Sequence, residues 1–206
     1  MEKIEINIPA DKDEVSSLKM GDIVFLSGTV YTARDLAHIR IVEYLRDGKA
    51  LPEDFEGSAI FHAGPVVTKL NESKWKLEVI GPTTSMRMEP FSDLIGKLGV
   101  RLLIGKGGMG EKTLKALEMN KAVYLLAAPG CAVKHGKSVV DVVRVHWLDL
   151  GIPEAIWVLK VMGWGPLIVG MDSNGNSLFE KVLRESTERL GKLKTQLNRS
   201  LDRSTP

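Results

Sequence analysis

The run Trp75-Lys76-Leu77-Glu78-Val79-Ile80 alternates apolar and polar side chains, and Gly81-Pro82-Thr83-Thr84-Ser85-Met86-Arg87 follows it directly. Alternation at period two reads as a strand. Beyond the turn, Glu89-Pro90-Phe91-Ser92-Asp93-Leu94-Ile95 reads as a helix opening. Two threonines, a serine and an arginine therefore crowd one strand-to-helix turn. Such turns present backbone N–H groups and short hydroxyls to a ligand. Taken alone, the same residues read as a helix N-cap, where Ser and Thr are favoured anyway.

The same unit recurs on both sides. Upstream, Asp22-Ile23-Val24-Phe25-Leu26 reads as a strand running into Ser27-Gly28-Thr29-Val30-Tyr31 and then Thr32-Ala33-Arg34-Asp35. Thr32 with Asp35 resembles a capping box. Leu36, Ile39, Val42 and Leu45 follow at helical spacing as far as Asp47-Gly48. Arg34 is thereby placed in the first turn of a helix. That end is already electropositive, so an arginine gains nothing there from the helix dipole. It is either a solvated surface side chain or the partner of a bound anion. Downstream, Val100 to Ile104 reads as a strand. It runs into Gly105-Lys106-Gly107-Gly108-Met109-Gly110 and a helix carrying Leu114, Leu117 and Met119. Glycines at 105, 107 and 110 match a dinucleotide-binding pattern, but no ribose-binding acid and no first βαβ position accompany them. The phosphate-loop pattern fails because Lys112-Thr113 come one place late. Nucleotide binding is the lesser reading.

Elsewhere, Ile4, Ile6 and Ile8 predict a short half-buried strand, and Ala10 to Met20 a polar loop. Ser58 to Pro65 reads as a strand ending in a turn, with His62 a hydrogen-bonded core residue. Lys121 to Ala127 is a strand. Cys131 after it reads as a small buried residue rather than a nucleophile, and His135 has no third partner to activate it. His146, in the apolar segment Asp141 to Leu150, is expected in the core. Ala155 to Val161 and Pro166 to Met171 read as two strands. From Ser177 onward, Leu178, Val182, Leu183, Leu190, Leu193 and Leu197 predict a helix packed on its own domain, fraying from Arg199 to Pro206. Strands followed by glycine-rich turns and helices make an α/β fold with a mixed sheet. The expected organisation is one domain over residues 1–180 and a C-terminal helical extension over residues 181–206.

Bulk properties narrow the function. With 206 residues, 44% hydrophobic and 26% charged, the chain is long enough for a sizeable core. A net charge of +2 without a dense basic block does not point to nucleic acid. Met1-Glu2-Lys3-Ile4-Glu5 has no signal-peptide core, and Val161 to Met171 is too short to span a bilayer. A soluble cytoplasmic protein is expected. One cysteine excludes an intrachain disulfide and cannot by itself hold an iron–sulfur cluster. No metal-ligand cluster stands out, so no metal site is expected in this chain.

Three strand-to-helix junctions each carry a cation, namely Arg34, Arg87 and Lys106, and two also carry threonines. In open α/β sheets ligands bind outside the carboxyl ends of the strands. If these junctions share one sheet edge, the cations converge, and two guanidinium forks suit a small dicarboxylate.

The motifs Ser27-Gly28-Thr29-Val30-Tyr31-Thr32-Ala33-Arg34-Asp35-Leu36-Ala37-His38, Phe61-His62-Ala63-Gly64-Pro65, Gly81-Pro82-Thr83-Thr84-Ser85-Met86-Arg87-Met88, Gly105-Lys106-Gly107 and Trp147-Leu148-Asp149-Leu150-Gly151-Ile152-Pro153-Glu154-Ala155 stand in an order that resembles the β subunit of class I fumarate hydratase and L(+)-tartrate dehydratase. The resemblance covers roughly Val24 to Met171. It implies a swivelling β/β/α domain and a hydro-lyase that hydrates fumarate to (S)-malate, or one that dehydrates L(+)-tartrate to oxaloacetate. It implies a fumarase α subunit as partner, carrying a [4Fe–4S] cluster, and thus a hetero-oligomer, with a homodimer open to the isolated chain. Carried over residue by residue, Thr83 matches the base for the carbon-bound proton. Arg34, Arg87 and Lys106 match residues that bind the substrate carboxylates. Gly108 stands where relatives often have a polar residue. A stand-alone dicarboxylate-binding module is the reading from another class.

Overall fold

The computed structural model describes residues 3–72 and 74–202. Met1 and Glu2, residues 203–206 of the expected extension, and the side chain of Leu197 lie outside the described residues. Strand β1 (Lys3–Ile8) is followed by a short helix α1 (Lys12–Ser17), where the sequence reads as a loop. The Asp11 side chain accepts from the N–H groups of Asp13 and Glu14, and Val15 and Leu18 are buried. Six residues are too few to show a helical period. Strand β2 (Ile23–Thr32) and helix α2 (Asp35–Arg46) follow as expected.

The chain then passes through β3 (Ala59–Phe61), β4 (Ala63–Lys69) and β5 (Trp75–Pro82), and a 3₁₀ helix at Ser85–Phe91. Next come α3 (Leu94–Leu98), β6 (Leu102–Gly105), α4 (Glu111–Asn120), β7 (Val123–Leu126), α5 (Ala132–Lys137) and β8 (Val139–His146). The described chain ends with β9 (Ile156–Met171) and α6 (Leu178–Asp202). Gly64-Pro65 lies inside β4 rather than in a turn: at His62 the chain leaves the large sheet and enters the two-stranded β4–β5 sheet. Proline is tolerated in such an edge strand because no neighbour needs its N–H. The two strands expected between Ala155 and Met171 are one. Register shifts against β2 absorb the Gly-Trp-Gly-Pro segment that reads as a break.

The large sheet runs β1-β2-β3-β6-β7-β9-β8, and β2 also pairs with β9. The ring β2-β3-β6-β7-β9 is therefore closed. β2, β3, β6 and β7 run parallel, and β9 is antiparallel to its neighbours. Alternation along these strands fills two cores. Val30, Phe61, Ile104, Leu125, Trp157 and Leu159 face one core, which β5 also lines. Tyr31, Ile60, Leu103, Tyr124, Ile156 and Val158 face the other, beneath α2, α3 and α4. Strands buried on both faces explain the near-continuous apolar runs in the sequence. The fold is thus mixed α/β, with a mixed sheet and flanking helices.

Helix α6 departs from expectation at both ends of its course. It stays helical to Asp202, past the point where fraying was expected. Its apolar stripe does not pack on the domain beyond its first turn: Val182, Leu183, Leu190 and Leu193 are exposed.

Candidate functional site

Parallel pairing places the ends of β2, β3 and β6 at one edge. Thr32 lies opposite Phe61, and Phe61 opposite Ile104. Arg34 and Lys106 each come two residues past that row, so they rise from the same edge at the same level. The turn after β5 is stitched onto it. Thr83 N–H donates to His62 O at 2.7 Å, Lys106 N–H to Thr83 O at 3.3 Å, and Ser85 N–H to Lys106 O at 3.1 Å. Thr83 and Lys106 are thus direct backbone neighbours, both half-buried. Neither the Thr83 hydroxyl nor Lys106 Nζ has a hydrogen-bond or ion-pair partner among the described residues.

Arg87 belongs to the same turn and reaches back to α2. Its Nε donates to Asp35 Oδ1 at 3.0 Å and Nη2 to Asp35 Oδ2 at 2.5 Å. Arg34 is the N-cap of α2 and makes no capping bond with its side chain. Its Nε lies 3.1 Å from Glu154 Oε1, an ion pair without hydrogen-bond alignment, so this buried N–H has no hydrogen-bond partner. All four candidate residues form one connected patch: Thr83, Lys106 and Arg87 through the 83–87 turn, and Arg34 through its neighbour Asp35.

Three readings of this region, one of them already the lesser, do not hold. The capping box of Thr32 and Asp35 is absent. Thr32 is the last residue of β2, and its hydroxyl donates to Ala155 O at 3.2 Å and accepts from Trp157 N–H at 2.9 Å. Glu154 instead closes the start of α2, accepting from Leu36 N–H at 3.0 Å. The N-cap reading of the Thr83–Ser85 turn also fails. Thr84 makes no side-chain cap bond, and Ser85 points into the core. The nucleotide reading loses its helix end: Glu89 accepts from Gly110 N–H at 2.7 Å, Thr113 N–H at 3.1 Å and the Thr113 hydroxyl at 2.6 Å. A carboxylate from the chain itself sits where a phosphate would. Both helix ends beside the patch are occupied this way, so neither helix N-terminus is left open to a bound anion.

Below the patch lies a buried polar chain that the sequence does not announce. Ser85 Oγ is 2.9 Å from His62 Nδ1 and 2.9 Å from Tyr124 Oη, and Tyr124 Oη is 2.9 Å from Gly107 O. A carbonyl only accepts, so Tyr124 donates to Gly107, Ser85 donates to Tyr124, and His62 donates from Nδ1; this is the one arrangement that satisfies every contact. Gly105 makes room for it, since a Cβ there would lie 1.9 Å from Ser85 Oγ. Burial, reinforced by nearby His38, holds the His62 imidazole well below its ordinary value. Burial also lowers His38, against the opposing pull of the Arg34 carbonyl and Asp35. Burial likewise pushes the Tyr124 phenol up. His62 is thus the hydrogen-bonded core residue that was expected.

Other candidate groups resolve simply. Cys131 is half-buried rather than buried. His135 gives it no partner, for its Nε2 donates to Ala128 O and its Nδ1 accepts from Trp164 Nε1–H. His146 is half-buried against Glu53 at 2.7 Å, not in the core, because β8 is a sheet edge. Among the described residues, no three His, Cys, Asp or Glu side chains group as metal ligands. A single thiol with no such group around it does not fit a resident iron–sulfur cluster. At Gly108 a Cβ would lie 2.9 Å from the Phe179 ring of α6, so glycine lets α6 close on the loop.

The profile of the family described as Fumarase C-terminus matches residues 1–182. The chain is 42% identical over 190 residues to the L(+)-tartrate dehydratase subunit beta of Escherichia coli, covering 92% of each chain. It is 48% identical over 184 residues to a Methanocaldococcus jannaschii protein named "Putative L(+)-tartrate dehydratase subunit beta", covering 88% of this chain and 94% of that one. It is 42% identical over 192 residues to a Geobacillus stearothermophilus protein named "Putative fumarate hydratase class I", covering 93% of this chain but 36% of that longer one. The chain belongs to the fumarase C-terminus family, alongside the β subunits of L(+)-tartrate dehydratase and the matching part of class I fumarate hydratase.

Proposed function

We propose that the chain is the β subunit of a cytoplasmic hydro-lyase that adds water to fumarate to give (S)-malate, reversibly, and that its site is completed by an α subunit. The observation that carries this reading is the Thr83–Lys106 neighbourhood, with an unpaired lysine beside two arginines at one sheet edge. Lys106 supplies a mobile charge for a substrate carboxylate, and the outer N–H groups of Arg34 and Arg87 supply directed donors. Thr83 stands as the base for the carbon-bound proton. Its hydroxyl has no activating partner among the described residues, so activation comes from the partner subunit.

The charge balance supports a shared site. Three cations face two carboxylates, Asp35 and Glu154, leaving a surplus of one positive charge for a substrate that carries two negative ones. A stand-alone dicarboxylate trap would not be built so. The longer fumarate hydratase relative, of which this chain matches about a third, carries further sequence in the same polypeptide. We assign the [4Fe–4S] cluster to the α subunit, and we read this domain as the swivelling half that closes over it.

A second reading, dehydration of L(+)-tartrate to oxaloacetate, is favoured by one observation: the relatives matched along nearly their whole length are named as tartrate dehydratase β subunits. The test is to assemble the chain anaerobically with its α subunit and follow fumarate, (S)-malate and L(+)-tartrate in parallel. Turnover of fumarate and malate supports the first reading, and turnover of tartrate alone the second. No turnover of any of them by a verified complex refutes both.

A further inference from the structure

Each arginine of the patch is held by a carboxylate, and both attachments meet at the first residues of α2. Asp35 takes one edge of the Arg87 fork, through Nε and one Nη2 hydrogen. A guanidinium has five N–H groups in fixed directions, so three stay uncommitted, including an end-on pair. Glu154 binds the other arginine and the same helix end together, with Oε1 3.1 Å from Arg34 Nε and Oε2 accepting from Leu36 N–H at 3.0 Å. Residues 34–36 therefore tie the 83–87 turn and the 151–155 turn to one anchor. The two carboxylates are 26% and 16% exposed, so these pairs are screened less than ordinary surface pairs.

We propose that Asp35 and Glu154 are positioning residues of the anion clamp, each holding one arginine so that its free donors meet a substrate carboxylate. The inference rests on the dicarboxylate reading of the site. An unheld arginine samples many rotamers, and ordering it on binding weakens the complex. Held by a carboxylate, Arg87 along one edge of its fork and Arg34 by the ion pair at Nε, each is already ordered and retains donors for a second carboxylate.

A control is built into the same helix. Arg40 and Asp149 also form an arginine–carboxylate pair, end-on through both Nη atoms at 2.9 and 2.6 Å, but Arg40 has no bond to the patch and Asp149 is 66% exposed. The experiment is steady-state kinetics on the assembled enzyme carrying Asp35→Asn, Glu154→Gln or Asp149→Asn. The first two are expected to raise KM for the dicarboxylate about tenfold while kcat stays within about threefold, because the lost contact orients a binding group. Asp149→Asn is expected to leave KM unchanged. Asp35→Glu restores a carboxylate one methylene out of place and is expected to recover part of the affinity. It also serves as the readout should Asp35→Asn not assemble. Unchanged KM in the Asp35 and Glu154 variants of an active enzyme overturns the proposal, as does an equal rise in Asp149→Asn. A wild-type complex inactive on fumarate, malate and tartrate refutes the functional reading itself, and this inference falls with it.

Discussion

Ser85 shows how single residues hold this site in place. Its backbone joins the edge that carries Lys106, and its side chain joins the buried chain from His62 to Gly107. Gly105 is the space that contact needs. Gly105→Ala forces a Cβ into Ser85 Oγ and is expected to destabilise the fold by about 3 kcal/mol, as overpacking combined with a broken buried network does. That corresponds to a fall in Tm of roughly 6–12 °C in thermal unfolding. A Tm within about 2 °C of wild type would show that Ser85 can retreat freely. The two buried histidines give a pH signature. Both are held neutral in the folded chain, whereas the unfolded chain takes up a proton at each near the ordinary value of 6.5. Below that value the unfolded state binds more protons, so stability declines as pH falls and is fully present above it. Each histidine contributes a slope of up to about 1.4 kcal/mol per pH unit. Denaturant unfolding between pH 7 and pH 5 is expected to show this decline, and His62→Gln to make it shallower. An identical slope in the variant would remove His62 as a source.

At the scale of elements, the recurring device is a helix capped by a glutamate from elsewhere in the chain. Glu89 caps α4 and Glu154 caps α2, and the first bond also fastens the 83–91 segment to the glycine-rich loop. Glu89→Ala strips three hydrogen bonds from the start of α4. It is expected to cost about 1–3 kcal/mol, with Glu89→Gln milder, as measured by chemical denaturation. No loss in the alanine variant would mean that water replaces the carboxylate without penalty. These caps also explain which parts of the molecule were legible in the sequence. Strands β2, β3, β6 and β7 were readable because each is an apolar run bounded by turn residues, whereas the Gly-Trp-Gly-Pro segment split β9 into two in the sequence reading. The placement of Arg34, Thr83, Arg87 and Lys106 just past strand ends was readable because each follows such a run. Asp35, Glu89 and Glu154 act on helices distant in sequence, and no local pattern marks a contact that only the tertiary fold creates. Ser85 and Tyr124 were hidden for the same reason. The helices α1 and α5, with six residues each, were too short to show a period.

For the whole molecule, the closed ring fixes where chemistry is possible. Parallel β2, β3 and β6 end at one edge, and the chain returns to it from β5, so four segments far apart in sequence supply one patch. Two of the three cations there already answer to the protein's own carboxylates. Of these three cations, Lys106 is the one with no carboxylate partner among the described residues, which makes it the sharpest probe of the proposed dicarboxylate site. Truncating its side chain breaks no hydrogen bond or ion pair among the described residues, so a loss of function cannot be ascribed to a lost ion pair there. The decisive measurement is kcat/KM of the assembled enzyme with Lys106→Met, on whichever of fumarate or L(+)-tartrate the wild type turns over. Loss of a charge-assisted contact to substrate is expected to lower it about 100-fold, with assembly and Tm unchanged. A wild-type kcat/KM in that variant would contradict the assignment of this edge as the substrate-binding wall.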